Sequence, residues 1–204
     1  MKNDKYIMSF TTGGLFHLES VKLAGLFLEL GDWNAVREKV ISGNVLQART
    51  RNSLKRVCRE VISRLRTLAP HELDLLIRGS AQEQRYLLWL SVCRYYKFIA
   101  DFADEVVHEH YVSLKNDLRY EDFDWFFNKK SEWHIELDKI RPTSRCKLRQ
   151  VLFKILREAD LLTPNNTINS AMLSPQLLDM IQHGNRQEVL RFPMFESELK
   201  GWAQ

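Results

Sequence analysis

Apolar residues recur along this chain at the three- and four-residue spacing of helices, and no strand-like alternation of any length appears. The pattern predicts an all-α protein. A short lead ends in Thr11-Thr12-Gly13-Gly14, a turn signal. Leu15, Leu18, Val21, Leu23, Leu26, Phe27 and Leu30 then point inward from a first helix that Gly31 can close. Asp32 suits the N-cap of a second helix, Trp33 to about Ile41, which Ser42-Gly43-Asn44 breaks. In a third, running to about Leu68, the residues Leu54, Val57, Cys58, Val61, Ile62 and Leu65 share one face. Its opposite face carries Arg49, Asn52, Arg56, Arg59 and Ser63, flanked by Lys55 and Arg66 on one side and Arg64 on the other. Three helices with a turn before the third predict a helix-turn-helix unit with the basic helix in the recognition position.

Pro70 fits the first turn of a short helix, His71 to Ile77, closed by Gly79. Ser80 and Glu83 form a capping-box pattern ahead of a long apolar helix through Tyr86, Leu87, Trp89, Leu90, Cys93 and Tyr96. It continues, with or without a break, through Phe102, Val106 and Tyr111 to about Leu114, and its aromatics are expected in the core. Asp122–Lys129 and Ser131–Ile140 read as two short helices or one broken one, and a second basic helix follows Pro142, from Thr143 to about Ala159. Residues 161–173 are turn-rich, with Thr167-Ile168 a short extended piece resembling a wing. Ser174-Pro175 starts a helix that Gly184 ends, and the aromatic tail Phe192, Phe195 and Trp202 is expected to pack back on the body. The expected architecture is a compact multi-helix globule with two helix-turn-helix units joined by a central long helix. It divides into an N-terminal unit over 1–79, a spine over 80–118, and a C-terminal unit with wing and helical tail over 119–204.

Charge changes this picture once it is localised. The chain carries a net charge of only +4. Residues 49–66 hold seven basic side chains against one acid, net +6, and residues 139–157 hold seven against none, net +7. The rest of the chain therefore sums to −9. Positive charge gathered in two segments of an otherwise acidic protein implies a located anion-binding surface, although a solvated helix face gives the same local pattern. The candidate contacts are Arg49, Arg51, Asn52, Lys55, Arg56 and Arg59 in the first segment, and Thr143, Ser144, Arg145, Lys147, Arg149, Gln150 and Lys154 in the second. Among them Arg49, Asn52, Arg56, Lys147 and Gln150 are types that can reach base edges.

The two segments also echo each other. Thr50-Arg51-Asn52-Ser53-Leu54-Lys55-Arg56-Val57 aligns with Ser144-Arg145-Cys146-Lys147-Leu148-Arg149-Gln150-Val151, and Asp32-Trp33 upstream of the first has a counterpart in Asp124-Trp125. One helix-turn-helix unit used twice gives this pattern, and so does chance similarity between amphipathic helices.

Other chemistries find little support. The three cysteines, Cys58, Cys93 and Cys146, are odd in number and contain no CxxC, which suits a reducing cytosol. The most apolar stretch, Tyr86 to Ile99, is interrupted by Arg94 and Lys97, so no membrane span is expected, and the opening MKNDKYIMSF lacks the apolar run of a signal peptide. His108 and His110 point about 200° apart on a helix and cannot share a metal. Glu105 and His108 would need ligands from elsewhere. Asp101, Asp104 and Glu105 read as a solvated acidic face, and Phe153, on the polar side of the second basic helix, reads as a helix contact. There is no HExxH, P-loop, GxSxG or dinucleotide fingerprint, and no enzyme, cofactor or metal is expected.

Several stretches together resemble the BrxA family, accessory proteins of bacterial BREX phage-defence systems. The residues that carry the resemblance are Ser9 to Val40, Leu46 to Leu68, Glu83 to Val107, and DFDWFFNKKSEWHIEL with SRCKLRQVLFKILREADLL beyond it. It covers most of the chain in order and is weakest after Ser174. The resemblance implies a small cytoplasmic all-helical protein with helix-turn-helix elements that binds double-stranded DNA. It also implies work beside other BREX components, including a DNA methyltransferase, and gives no catalytic residue to carry over. The reading is a non-enzymatic, monomeric double-stranded DNA-binding protein gripping through two basic recognition helices. Its rival is a protein–protein scaffold whose basic helices dock acidic partner surfaces. RNA binding suits the charge but lacks an aromatic platform on a sheet.

Overall fold

The computed structural model of the chain describes residues 5–195. It is all-helical. Helix α1 spans His17–Leu30, α2 Trp33–Ser42 and α3 Arg51–Leu65, and the three pack against one another. Helix α4, Pro70–Arg78, leads into α5, Ala81–Tyr95, which touches α1, α3, α4 and the C-terminal part of the chain. Beyond α5 come α6, Lys97–Phe102, a π-helical turn over Ala103–His108, and α7, Glu109–Val112. The remaining helices are α8, Tyr120–Ser131, α9, Ile135–Asp138, α10, Pro142–Glu158, and α11, Pro175–His183, followed by a 3-10 turn at Arg186–Arg191.

The caps place these boundaries. Gly31 takes φ 67° and donates its N–H to the Phe27 carbonyl, stopping α1 where a side chain would be strained. One residue later the Asp32 carboxylate accepts from the Ala35 amide and starts α2. Ser80 and Glu83 complete a reciprocal capping box on α5, and Ser174 accepts from the Leu177 amide ahead of Pro175 to start α11. The spine is not one long helix. Tyr96 leaves helical geometry at φ −112° and ψ 91°, so the chain bends between α5 and α6, with the extra residue of the π turn downstream. Thr167 and Ile168, expected as a short extended piece, take part in two isolated antiparallel bridges, Asp117 with Thr167 and Leu162 with Ile168.

One hydrophobic core runs through the described chain from Tyr6 to Met194. Trp89, Tyr96, Phe98 and Phe102 of the spine are fully buried. A buried Phe of this kind stabilises by about 1.5–3 kcal/mol over its exposed state. Arg94 ties the C-terminal segment to this core. Its guanidinium donates to Glu72 of α4 at 2.6 and 2.8 Å and to Glu188 of the 3-10 turn at 2.7 Å. Burial alone would push the Glu72 carboxyl up, but the bonds from Arg94 and the Ala69 amide hold it below its usual range. Phe192 is buried and Phe195 sits 4.9 Å from the Tyr111 ring, as expected of the tail, while Trp202 lies outside the described residues.

The lead before α1 is a strap rather than a simple turn. The Tyr6 amide donates to Glu136 at 2.6 Å, its hydroxyl donates to Asp101 at 2.5 Å, and its ring stacks on His134 at 3.9 Å. At the strap's other end the Leu15 amide donates to Glu158 of α10 at 2.5 Å. A Cβ on Gly14 would lie 2.1 Å from that carboxylate, so a larger residue here would push the Glu158 side chain aside and weaken its bond to the Leu15 amide.

Candidate nucleic-acid interface

Helix α3 begins later than the charge pattern suggests. Thr50 is its N-cap, accepting from the Ser53 amide at 3.1 Å, so Arg49 stands just outside the helix. Leu54, Cys58, Val61, Ile62 and Leu65 are buried and Val57 is half-buried, as the apolar stripe requires. The Cys58 thiol, pushed up by burial, is a core group. Outward lies a stripe of Asn52, Lys55, Arg56, Arg59 and Arg66, with Arg51 at its start, all exposed. Among the described residues none of these, nor Arg49, makes an ion pair or side-chain hydrogen bond. Arg64, expected on the flank, is instead only 3 % exposed. It donates to Glu60 at 2.9 Å and to the Gly14 carbonyl at 2.7 Å, while Glu60 also accepts from the Tyr96 hydroxyl at 2.5 Å. The cause is geometric: position 64 faces the strap and spine, where a buried guanidinium needs the charge of Glu60 and the Gly14 carbonyl beside it.

Arg37 extends this surface and escaped the sequence reading. It is exposed on α2 with no ion pair among the described residues, and it lines a shallow cleft of about 560 Å³ with Asn34, Glu38, Ile41, Ser42 and Arg51. It lies outside the dense basic run, and only the packing of α2 on α3 brings it there.

Helix α10 sorts its cations differently. Arg145 and Arg149, named as candidate contacts, are half-buried and already paired within the chain. Arg145 donates to the Asp124 carboxylate at 3.0 Å, the Asp124 carbonyl at 2.8 Å and the Asn128 amide oxygen at 2.7 Å, and lies 4.4 Å from the Phe127 ring centroid. Arg149 donates to the other Asp124 oxygen and lies 4.8 Å from the Tyr120 centroid. One carboxylate thus brackets α10 to α8 through two guanidiniums. Arg157 donates to Asn166 at 2.6 Å and Lys154 pairs with Glu158 at 3.5 Å. What remains outward is Thr143, Lys147, Gln150 and Lys154 at i, i+4, i+7 and i+11, with Ser144 half-buried beside them. Phe153, the anomaly on this helix, is fully buried 4.7 Å from the Tyr120 ring.

The Asp-Trp pairs do different work in the two halves. Asp32 caps α2, with Trp33 stacked on Phe27 at 4.1 Å. Asp124 lies inside α8 and pairs with α10, while Trp125 is 61 % exposed.

The acidic triplet is not a solvated face. Asp101 accepts from Tyr6, and Glu105 pairs with Lys129 and Lys130. Burial pushes the Asp104 carboxyl up to about 6 against the pull of Arg191. His108 is buried with Nδ1 at 3.0 Å from the Phe192 carbonyl, and His110 is 3.8 Å from Asp122. Among the described residues no group of three or more His, Cys, Asp or Glu side chains is placed to hold a metal ion, and no helix is long and apolar enough to cross a membrane.

These features define a class: an all-helical protein whose most distinctive surface is a cationic helix face. The chain belongs to the BrxA family, whose model matches residues 4–185. It is 28% identical to the BREX protein BrxA of Escherichia coli O9:H4 (strain HS), covering 93% of this chain and 91% of that one. It is 26% identical to the BREX protein BrxA of Bacillus cereus (strain H3081.97), covering 90% and 92% of the two chains. Among solved structures, an uncharacterized protein from Magnetospirillum magneticum has the same fold, with a TM-score of 0.80, 23% identity and 93% and 98% coverage.

Proposed function

We propose that this chain is a non-enzymatic accessory protein of a BREX phage-defence system that binds double-stranded DNA. The observation that carries the reading is the α3 stripe, in which Arg51, Lys55, Arg56 and Arg59 are exposed and have no ion-pair partner among the described residues. Unpaired cations on one helix face, raised above a rigid apolar base, suit a phosphate backbone, and α2 ahead of α3 suits a helix-turn-helix placement in the major groove. Arg37 extends the stripe toward flanking phosphates. In the second unit α10 has the outward face of a recognition helix, and the Thr167-Ile168 bridges follow it as a short wing. The relatives are named BREX proteins, which supports work beside other BREX components; a place in the cytoplasm and a DNA methyltransferase as one of those components rest on the family resemblance alone.

The test is a salt series with the purified protein on a duplex, a single strand and a structured RNA. Three to four phosphate contacts from α3 give a slope of log affinity against log salt of about −3 to −4 on the duplex. A slope near zero, or equal affinity for all three nucleic acids, would falsify the duplex reading.

A further inference from the structure

The corner formed by α8 and α9 carries the largest exposed apolar side chains of the C-terminal half that lie close together in sequence. Trp125 is 61 % exposed, Trp133 72 % and Ile135 72 %. Scattered exposed leucines are ordinary, but two tryptophans and an isoleucine within eleven residues resemble the anchors of a protein interface. Folding does not require their exposure, because the other face of α8 is already anchored by buried Phe123, Phe126 and Phe127.

The charges around this patch identify what would cover it. Glu121, Trp125, Asn128 and Glu132 follow one another at helical spacing on the outer face of α8, and Asp138 stands one turn after Ile135. Glu121, Glu132 and Asp138 are exposed and make no ion pair among the described residues. Lys129 reaches over the Trp125 ring at 5.2 Å from its centroid, but its charge is shared with Glu105 at 3.4 Å. Lys139 and Arg141, exposed and without an ion pair among the described residues, follow Asp138 toward α10. A tryptophan with acids at its margins repels phosphate, which argues against a stacked nucleic-acid strand despite the exposed indoles. The same arrangement attracts a cation over the ring, as Lys129 demonstrates within the chain.

We infer that the α8–α9 corner is a docking face for another protein, through a segment that sets Arg or Lys side chains against Trp125 and the flanking acids and apolar anchors against Trp133 and Ile135. The face is distinct from α3, so a partner seated there leaves the α3 stripe open.

The test is a photocrosslink in the native bacterium with the full chain carrying Ile135→p-benzoylphenylalanine, an apolar replacement at an exposed position. The expected result is an adduct to a different protein whose crosslinked peptide is rich in Arg or Lys. The adduct should fall at least tenfold when Trp125→Ala or Glu121→Lys/Glu132→Lys is added, with the thermal midpoint of both variants and the duplex binding of Trp125→Ala unchanged. An adduct to a second copy of the chain, to nucleic acid or to an acidic segment overturns the inference. So does no adduct, or one that survives both added substitutions. A basic segment from a protein outside the defence locus would retain the docking face and sink the BREX reading instead.

Discussion

Helices α3 and α10 carry almost the same formal charge and use it in opposite ways. In α3 the arginines that look outward have no ion pair among the described residues and one, Arg64, is turned into the core. In α10 the two arginines nearest the N-terminus are held against α8 by one carboxylate, and its outward face keeps Thr143, Lys147, Gln150 and Lys154. Pairing with Asp124 cancels much of the field those arginines would otherwise project. Equal charge therefore does not mean equal anion-binding capacity. The lesson is that a basic helix must be judged by the cations left over after its own protein has been satisfied.

The largest expected effect follows directly. Arg56→Glu/Arg59→Glu removes two unpaired cations from the α3 stripe and should leave the melting temperature unchanged, because neither side chain makes a described contact. Each lost phosphate contact lowers affinity by roughly eightfold at 0.1 M salt, and reversal adds repulsion, so duplex affinity should drop by about two orders of magnitude. The salt slope should become shallower by about 2. An equal loss from Arg145→Glu/Lys147→Glu would erase the contrast between the helices, especially if that variant remained folded.

Arg64→Met should reverse the pattern, harming stability and sparing affinity. It strands the Glu60 carboxylate and the Gly14 carbonyl in a nearly dry site, a loss on the order of 3 kcal/mol. Urea denaturation of the variant measures it. A variant as stable as the parent would show that Arg64 belongs functionally with its exposed neighbours.

Sequence alone located most helix boundaries because caps are local: Gly31, Asp32, the Ser80 and Glu83 pair and Ser174-Pro175 all act within a few residues. It could not sort the cations, since their partners are distant along the chain. Arg64 meets Gly14 across 50 residues and Arg145 meets Asp124 across 21. Charge density is a one-dimensional property, whereas neutralisation is a three-dimensional one. The same limit hid Arg37, the bend at Tyr96 and the strap through Tyr6, each of which depends on what another element places beside it. The Asp-Trp correspondence misled for a related reason: the dipeptide is shared, but its first residue caps a helix in one half and brackets two helices in the other.

Asp124→Ala sharpens the comparison from the α10 side. It removes the carboxylate that brackets α8 to α10 and releases two guanidiniums that still rest on Phe127 and Tyr120. The pairs are about a quarter to a third exposed, so the stability loss should stay near 1–2 kcal/mol. Duplex affinity should rise several-fold and the salt slope steepen by about 1 or 2, because two cations rejoin the outward field. A variant that bound no better than the parent would mean that the α10 face does not approach the duplex at all.

The smallest effect tests what is left on α10. Lys147 and Gln150 lie one turn apart on its outward face, where Lys147 has no ion pair among the described residues and Lys154 pairs with Glu158. Lys147→Ala/Gln150→Ala removes one phosphate contact at most, so average duplex affinity should change by less than about tenfold and the salt slope by about 1. The informative quantity is instead the spread of affinities over a randomised duplex pool. Glutamine can bond the adenine edge in two places, and each such pair discriminates by about 1–3 kcal/mol, which no phosphate contact does. If the spread narrows in this variant while Arg56→Glu/Arg59→Glu lowers every sequence alike, α10 reads and α3 holds. If both variants scale all sequences equally, neither helix reads bases and the two halves differ only in how many phosphates they touch.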